Sequence, residues 1–316
     1  MKPVRYSIVI TCHNQRDFIR EAVNSALIQG GDDTEVVVVD DASNDGSCEI
    51  LKEYGNRINF NQMPTNGGAA RSRNLGASVA LGEYLVFLDG DDVLMPHALM
   101  VYNSIVEVRK PMLILAGMSR FSGPVPWNEL EEIANGPLKV VEYSCTTSKD
   151  RSADLSASAT VVDREAFLKV GGWTPDIFHG DNKDFMMKLG CAGSLILILA
   201  PKTVFYRVHG RNSIHDISSF LKSAHRLIDN ERAGHYPGGG AQVFERYAAL
   251  GVYVVFWSMK GLTVGLWMEV LKLTLAGFPM VLAGFVQRCG IMLKGLHPAE
   301  SIDLTDMRGS GSFGPS

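Results

Sequence analysis

The run Glu35-Val36-Val37-Val38-Val39-Asp40 admits few folds. Four consecutive β-branched residues with no polar alternation fit a strand covered on both faces, the condition of a parallel sheet flanked by helices. The next residues, Asp41-Ala42-Ser43-Asn44-Asp45-Gly46-Ser47, supply turn and N-cap chemistry, and a helix is predicted over 48–54.

The same unit recurs along the chain. An apolar strand over 6–11 precedes helical spacing over 17–29, and a strand over 59–62 leads through Asn66-Gly67-Gly68 into a helix over 71–80. A strand over 84–88, a helix over 97–109 and a strand over 112–116 follow. Further strands are expected over 156–162 and 195–199, with a helix over 164–170 between them. This alternation predicts an α/β fold with parallel strands, closing near His215. The segment 121–151 is rich in Pro, Ser and Glu without a clear period, and reads as a loop-rich insertion suited to acceptor specificity. Ligands of such sheets bind at the carboxyl ends of strands, where Thr11, Asp40, Asp41 and Asp89 to Asp92 all fall.

The chain has 316 residues, 46% of them hydrophobic, enough for one large core or two modest ones. A net charge of −4 gives no basic footprint, which excludes a nucleic acid polymer as partner. Five widely spaced cysteines without a CxxC pair indicate neither a disulfide framework nor a zinc site. With no signal pattern at the N-terminus, the expected location is cytoplasmic.

From Phe220 the character changes to strongly apolar helical segments over 247–259 and 273–286. Each falls short of the roughly 20 residues a membrane span requires. Joining them into longer spans would put Lys260, or Glu269 and Lys272, near mid-bilayer. Two readings stay open for 247–286: an interfacial or re-entrant hairpin on the cytosolic membrane face, or a helical packing domain or homo-oligomer interface. The expected domains are therefore 1–215, 216–300 and a disordered tail over 301–316.

The chemistry centres on Asp89-Gly90-Asp91-Asp92, directly after Phe87-Leu88. Carboxylates at a strand end supply hard oxygen ligands for a divalent cation, which stabilises charge on a departing diphosphate. Acidic turns at strand ends are also common as plain caps, so this signal is weak alone.

Several motifs together resemble the inverting family 2 glycosyltransferases, which carry the GT-A nucleotide-diphospho-sugar transferase fold, a three-layer α/β/α sandwich. They are Ser7-Ile8-Val9-Ile10-Thr11-Cys12-His13-Asn14, Val39-Asp40-Asp41-Ala42-Ser43-Asn44-Asp45-Gly46-Ser47, the stretch 66–76 with Arg73-Asn74, and Phe87-Leu88-Asp89-Gly90-Asp91-Asp92. The resemblance covers about the first 215 residues and implies a nucleotide-sugar donor, UDP by family analogy, with Mg2+ or Mn2+. The acceptor would be a hydroxyl on a glycan or lipid-linked molecule.

By that resemblance Asp41 accepts from the base imide, and Thr11 and Asn14 line the base and ribose pocket. His13 stands where a tyrosine is usual and stacks on the base. Arg73 pairs with phosphate, Asp89 holds ribose or metal, Asp91 is the principal metal carboxylate and Asp92 completes the donor site. In Tyr206-Arg207-Val208-His209-Gly210-Arg211, His209 approaches the metal and Arg211 clamps phosphate.

An inverting transfer needs a general base for the acceptor hydroxyl. The segment Gly180-Asp181-Asn182-Lys183-Asp184 resembles the family's Glu-Asp-x-Asp motif, but Asn182 falls on the catalytic acid and an amide cannot serve. Asp181 in that role, Asp184 in that role, or an impaired sugar-nucleotide-binding or scaffold protein all remain open. Asp181 is favoured because Gly180 beside it lets the loop reorient; its alternative is a charge at a helix N-terminus. A nucleotidyltransferase fits less well, because Thr11-Cys12-His13-Asn14 is no Gly-rich phosphate loop.

Overall fold

The computed structural model describes residues 3–130, 137–147, 156–175, 177–210, 216–294 and 301–303. The first half runs β1 (Tyr6–Cys12), α1 (Ile19–Leu27), β2 (Thr34–Asp40), α2 (Ser47–Lys52), β3 (Asn59–Gln62), α3 (Ala69–Val79), β4 (Tyr84–Asp89), β5 (Val93–Leu94) and α4 (Ala98–Arg109). It continues through β6 (Leu113–Leu115), β7 (Met118–Phe121), β8 (Lys139–Tyr143), β9 (Thr160–Asp163), α5 (Arg164–Lys169), α6 (Asp181–Leu189), β10 (Leu195–Ala200) and β11 (Val204–Arg207). Then follow α7 (Ile217–Arg232), α8 (Val243–Thr263), α9 (Trp267–Ala276), α10 (Phe278–Lys294) and β12 (Ser301–Asp303).

The valine run does form a doubly covered strand. Val36 and Val38 join Ile8 and Ile10 in a core under α1, α2 and α4, whereas Val37 and Val9 pack into a second core with α3, α5 and α6. Helices thus lie on both faces of one nine-stranded sheet of order β12-β8-β10-β6-β9-β4-β1-β2-β3, which makes a three-layer α/β/α architecture. Strands β3, β2, β1 and β4 are parallel neighbours.

Three expectations need correction. The sheet is mixed, because β9 runs antiparallel between β4 and β6, and β8 antiparallel to β10. The insertion read as loop contains β8, whose Val140 enters one core and Val141 and Tyr143 the other; its five residues are too short to show a period. Of the tail expected to be disordered, Ser301–Asp303 adds to the sheet edge against β8, and 304–316 lie outside the described residues.

A small sheet of order β5-β11-β7 stands beside the carboxyl end of the main one. Pairing of Val204 with Leu94 draws the chain after β11 back over the loop after β4. In the C-terminal region, α7 to α10 pack around Leu221, Leu227, Val254, Trp257 and Leu273. No single described helix is long and apolar enough to cross a membrane.

Candidate active site

Parallel pairing aligns Thr11 with Asp89 and Cys12 with Asp40, so the loops leaving β1, β2 and β4 open on one side. Their backbones are tied at the point of exit: the amide of Asp41 donates to Cys12 O at 2.8 Å, and that of Gly90 to Thr11 O at 2.9 Å. A Cβ on Gly90 would lie 2.8 Å from Thr11 O and 2.4 Å from Gln15 Oε1. Only glycine lets the acid loop come this close to the end of β1.

Asp41 is buried, and its two carboxylate oxygens accept from the amides of Gly67 and Gly68, each at 2.7 Å. It therefore staples the Gly-rich turn before α3 to the end of β2. His13 is exposed; its Nδ1 lies 2.7 Å from Asp41 O. A carbonyl only accepts, so Nδ1 carries the proton and Nε2 accepts from the Asn66 amide at 2.9 Å. Asn14, in a left-handed conformation that asparagine tolerates, accepts from the Asn44 amide through Oδ1 at 2.9 Å. These contacts fix the shape of a mouth above β1 and β2.

The acid cluster divides into different roles. Asp89 accepts from Arg73 Nη2 at 2.8 Å and from Thr11 Oγ1 at 3.3 Å. Asp91 meets His209 Nε2 at 2.8 Å, and the imidazole stacks on Phe18 with centroids 4.9 Å apart. Burial, and then the charge of Asp89, push the Asp91 carboxyl above its ordinary range, while His209 works the other way. Asp92 does not face the cleft: it is buried, accepting from Ser158 Oγ at 2.5 Å and from the Arg207 amide at 2.9 Å. Its placement in the donor site is thus corrected to a bracket between β4, the segment before β9 and β11.

Arg73 is also placed differently from the sequence expectation of a phosphate ligand. Its guanidinium is buried and held by two carboxylates, Asp89 at 2.8 Å and Asp181 at 2.7 Å. Burial works against its charge, and the two acids more than offset that. Asp181 opens α6 after Gly180, whose φ is +94°. Burial raises the Asp181 carboxyl above its usual range, and Arg73 opposes the rise.

Asn182 and the other candidate acid of that segment, Asp184, turn inward. Asn182 Oδ1 accepts from the Trp173 indole at 3.1 Å. Asp184 is fully buried and takes hydrogen bonds from Thr174 Oγ1 at 2.5 Å, Tyr236 at 2.7 Å and Asn230 at 3.2 Å. It anchors α6 to the C-terminal helices. Arg211 lies outside the described residues.

Two contributors escaped the sequence reading. Ser158 joins the Asp89 amide, which donates to its Oγ at 2.9 Å, to Asp92. Arg207 donates to Asp91 O at 2.9 Å and to Gly123 O at 2.7 Å, pairs with Glu21, and lies over the rings of Phe18 and Phe121. The arginine two residues before His209 was the signal for the second; the serine has none.

No group of three or more His, Cys, Asp or Glu side chains gathered as a metal cage occurs among the described residues. The donor set still fits a cation completed by a ligand. Mg2+ and similar ions use one or two carboxylates together with substrate phosphates and water. Asp91 and Asp89 would offer oxygen and His209 nitrogen to such an ion, and a nitrogen ligand is more at home on Mn2+ than on Mg2+.

Residues 7–164 match the family described as Glycosyl transferase family 2. Among curated relatives, the poly(ribitol-phosphate) beta-N-acetylglucosaminyltransferase TarS of Staphylococcus aureus is 28% identical over 226 residues, covering 69% of this chain and 38% of TarS. The putative teichuronic acid biosynthesis glycosyltransferase TuaG of Bacillus subtilis is 39% identical over 89 residues, covering 27% of this chain and 35% of TuaG. The chain thus aligns with well under half the length of either. The crystal structure of residues 1–349 of S. aureus TarS in complex with UDP-GlcNAc superposes with a TM-score of 0.65 over 88% of this chain and 82% of that one, at 16% identity. That likeness confirms the GT-A fold.

Proposed function

The chain belongs to glycosyl transferase family 2, and on that premise we propose that it transfers a hexose or hexosamine from a UDP-sugar, with inversion, to a hydroxyl of a glycan or lipid-linked acceptor. The carrying observation is the chain Asp89–Arg73–Asp181, in which one buried guanidinium joins an acid of the cluster after β4 to a desolvated carboxylate at the start of α6; Asp91 lies close enough to Asp89 to feel its charge. The TarS complex with UDP-GlcNAc and the poly(ribitol-phosphate) acceptor in that relative's name support the donor and acceptor classes.

Asp91, with His209 and Asp89, would hold Mn2+ or Mg2+, which supplies charge stabilisation to the leaving diphosphate. His13 and the loops tied by Asp41 would receive the base. Asp181 takes the proton of the acceptor hydroxyl as that oxygen attacks the anomeric carbon. Burial raises its pKa, which strengthens it as a base, and Arg73 opposes that rise. Arg73 meanwhile ties that base to the donor side through Asp89.

Incubation with a panel of nucleotide-sugars, with Mn2+ or with chelator, tests the reading. Metal-dependent release of UDP, raised by an acceptor polyol, is expected. Donor affinity without turnover for any sugar would instead establish a binding or scaffold protein.

A further inference from the structure

Helices α8, α9 and α10 each bury one face in the C-terminal core and turn an apolar stripe outward. On α8, Phe256 and Met259 are 52% and 64% exposed; on α9, Trp267 and Leu275 are 65% and 68% exposed; on α10, Leu282 and Phe285 are 52% and 66% exposed. Their spacing is helical, so each stripe is one face. Scattered apolar side chains are ordinary on a protein surface, but stripes on three successive helices mark an interaction site.

The charges around these stripes identify the partner. Over 217–294 the sequence has eight Lys and Arg against four Asp and Glu, in a chain whose net charge is −4. Lys260, Lys272 and Arg288 are exposed on the three helices, where Glu269 is the one exposed acid among the described residues. A second copy of the chain would bring these cations against their own kind, whereas an anionic lipid surface complements them. The helices also have the form this partner requires. α9 and the 278–289 part of α10 make an apolar pair bent by 75°, too short singly to span a bilayer, and such helices lie within the headgroup boundary.

We propose that α8 to α10 dock on an anionic bilayer surface, with the outward stripes in the acyl boundary and Lys260, Lys272 and Arg288 at the headgroups. Docking does not depend on the identity of donor or acceptor.

Flotation of the full chain with vesicles of phosphatidylcholine alone, or mixed with phosphatidylglycerol, tests this. Flotation with the mixed vesicles is expected, weakened by salt. Replacing Lys260 and Lys272 by Ala should weaken binding about fivefold per cation. Leu275→Glu with Phe285→Glu should abolish it while circular dichroism and melting temperature are unchanged, since both positions are exposed. Trp267 supplies a readout free of any folding defect: brominated lipid should quench its emission, and Trp267→Phe should remove that quenching. A chain that stays out of the vesicle fractions, or sediments as a dimer dissociated by Phe285→Glu, overturns the proposal.

Discussion

Arg73 donates to Asp181 at 2.7 Å from one guanidinium nitrogen and to Asp89 at 2.8 Å from another, joining residues 108 apart in sequence to residues 16 apart. One buried cation thereby holds a carboxylate on each side of the cleft. If Asp181 is the base, Asp181→Asn keeps the shape and loses the proton acceptor. Turnover should fall by about 10²–10⁴, with UDP-sugar affinity by calorimetry unchanged within a few-fold. Turnover near that of the parent would exclude Asp181.

The pH dependence follows from the same pair. Asp181 must be ionised to act, and its pKa is raised by burial against the opposing Arg73. Activity should fall as the pH drops through that raised value, and Arg73→Gln, which removes the opposing cation, should move this acidic limb to higher pH. For stability the sign is reversed. Asp181's contribution is fully present below its unfolded value near 3.8 and is lost as the pH rises through the folded one. An unmoved acidic limb in Arg73→Gln would show that another group titrates.

Asp91 and Asp92 should part company under the same substitution. Asp91→Asn is expected to abolish Mn2+-dependent stabilisation by donor in a thermal shift assay. Asp92→Asn should preserve it, because the amide oxygen still accepts from the Arg207 amide and the amide nitrogen donates to Ser158 in place of the bond the carboxylate received. The substitution also removes a buried acid whose pKa burial, Asp91 and Asp89 hold well above its ordinary value. Loss of metal response in Asp92→Asn would return this residue to the donor site.

Asp184→Asn separates anchoring from catalysis. The amide keeps shape but cannot receive all three hydrogen bonds from Thr174, Tyr236 and Asn230. A loss of about 2 kcal/mol in urea unfolding is expected, with turnover per folded molecule within a few-fold of the parent. A loss of turnover like that of Asp181→Asn would make Asp184 the base instead.

The contrast between Asp181 and Asp184 shows what the sequence could carry. The strands, the Gly-rich turns and the acid cluster are legible because β-branched runs, turn chemistry and the Asp-Gly-Asp-Asp spacing are local signals. Which acid points where is not local. Asp92 turns inward because Ser158 and Arg207 arrive from distant segments to meet it, and Asp184 because Tyr236 reaches it from beyond α7. Strand β8 stayed hidden because five residues among Pro and Ser carry too little periodicity, although both cores use them.

The last such long-range contact lies between Gly180 and Tyr253. The Tyr253 hydroxyl on α8 is buried, with no well-formed hydrogen bond among the described residues, and a Cβ on Gly180 would lie 2.2 Å from that oxygen and 3.2 Å from the ring carbon bearing it. Gly180 also holds φ at +94°, where alanine is strained. Gly180→Ala thus suffers both a backbone penalty and a steric one, and it displaces Asp181 as well. Tyr253→Phe alone deletes an unsatisfied polar group and should leave stability unchanged or raise it by about 1 kcal/mol. In the double variant the oxygen contact is gone and the φ strain remains, so the alanine should cost less than in the parent. A coupling of about 1 kcal/mol or more in a four-variant urea cycle is expected, with partial recovery of turnover. Strict additivity would mean that α8 does not set the position of the loop carrying Asp181.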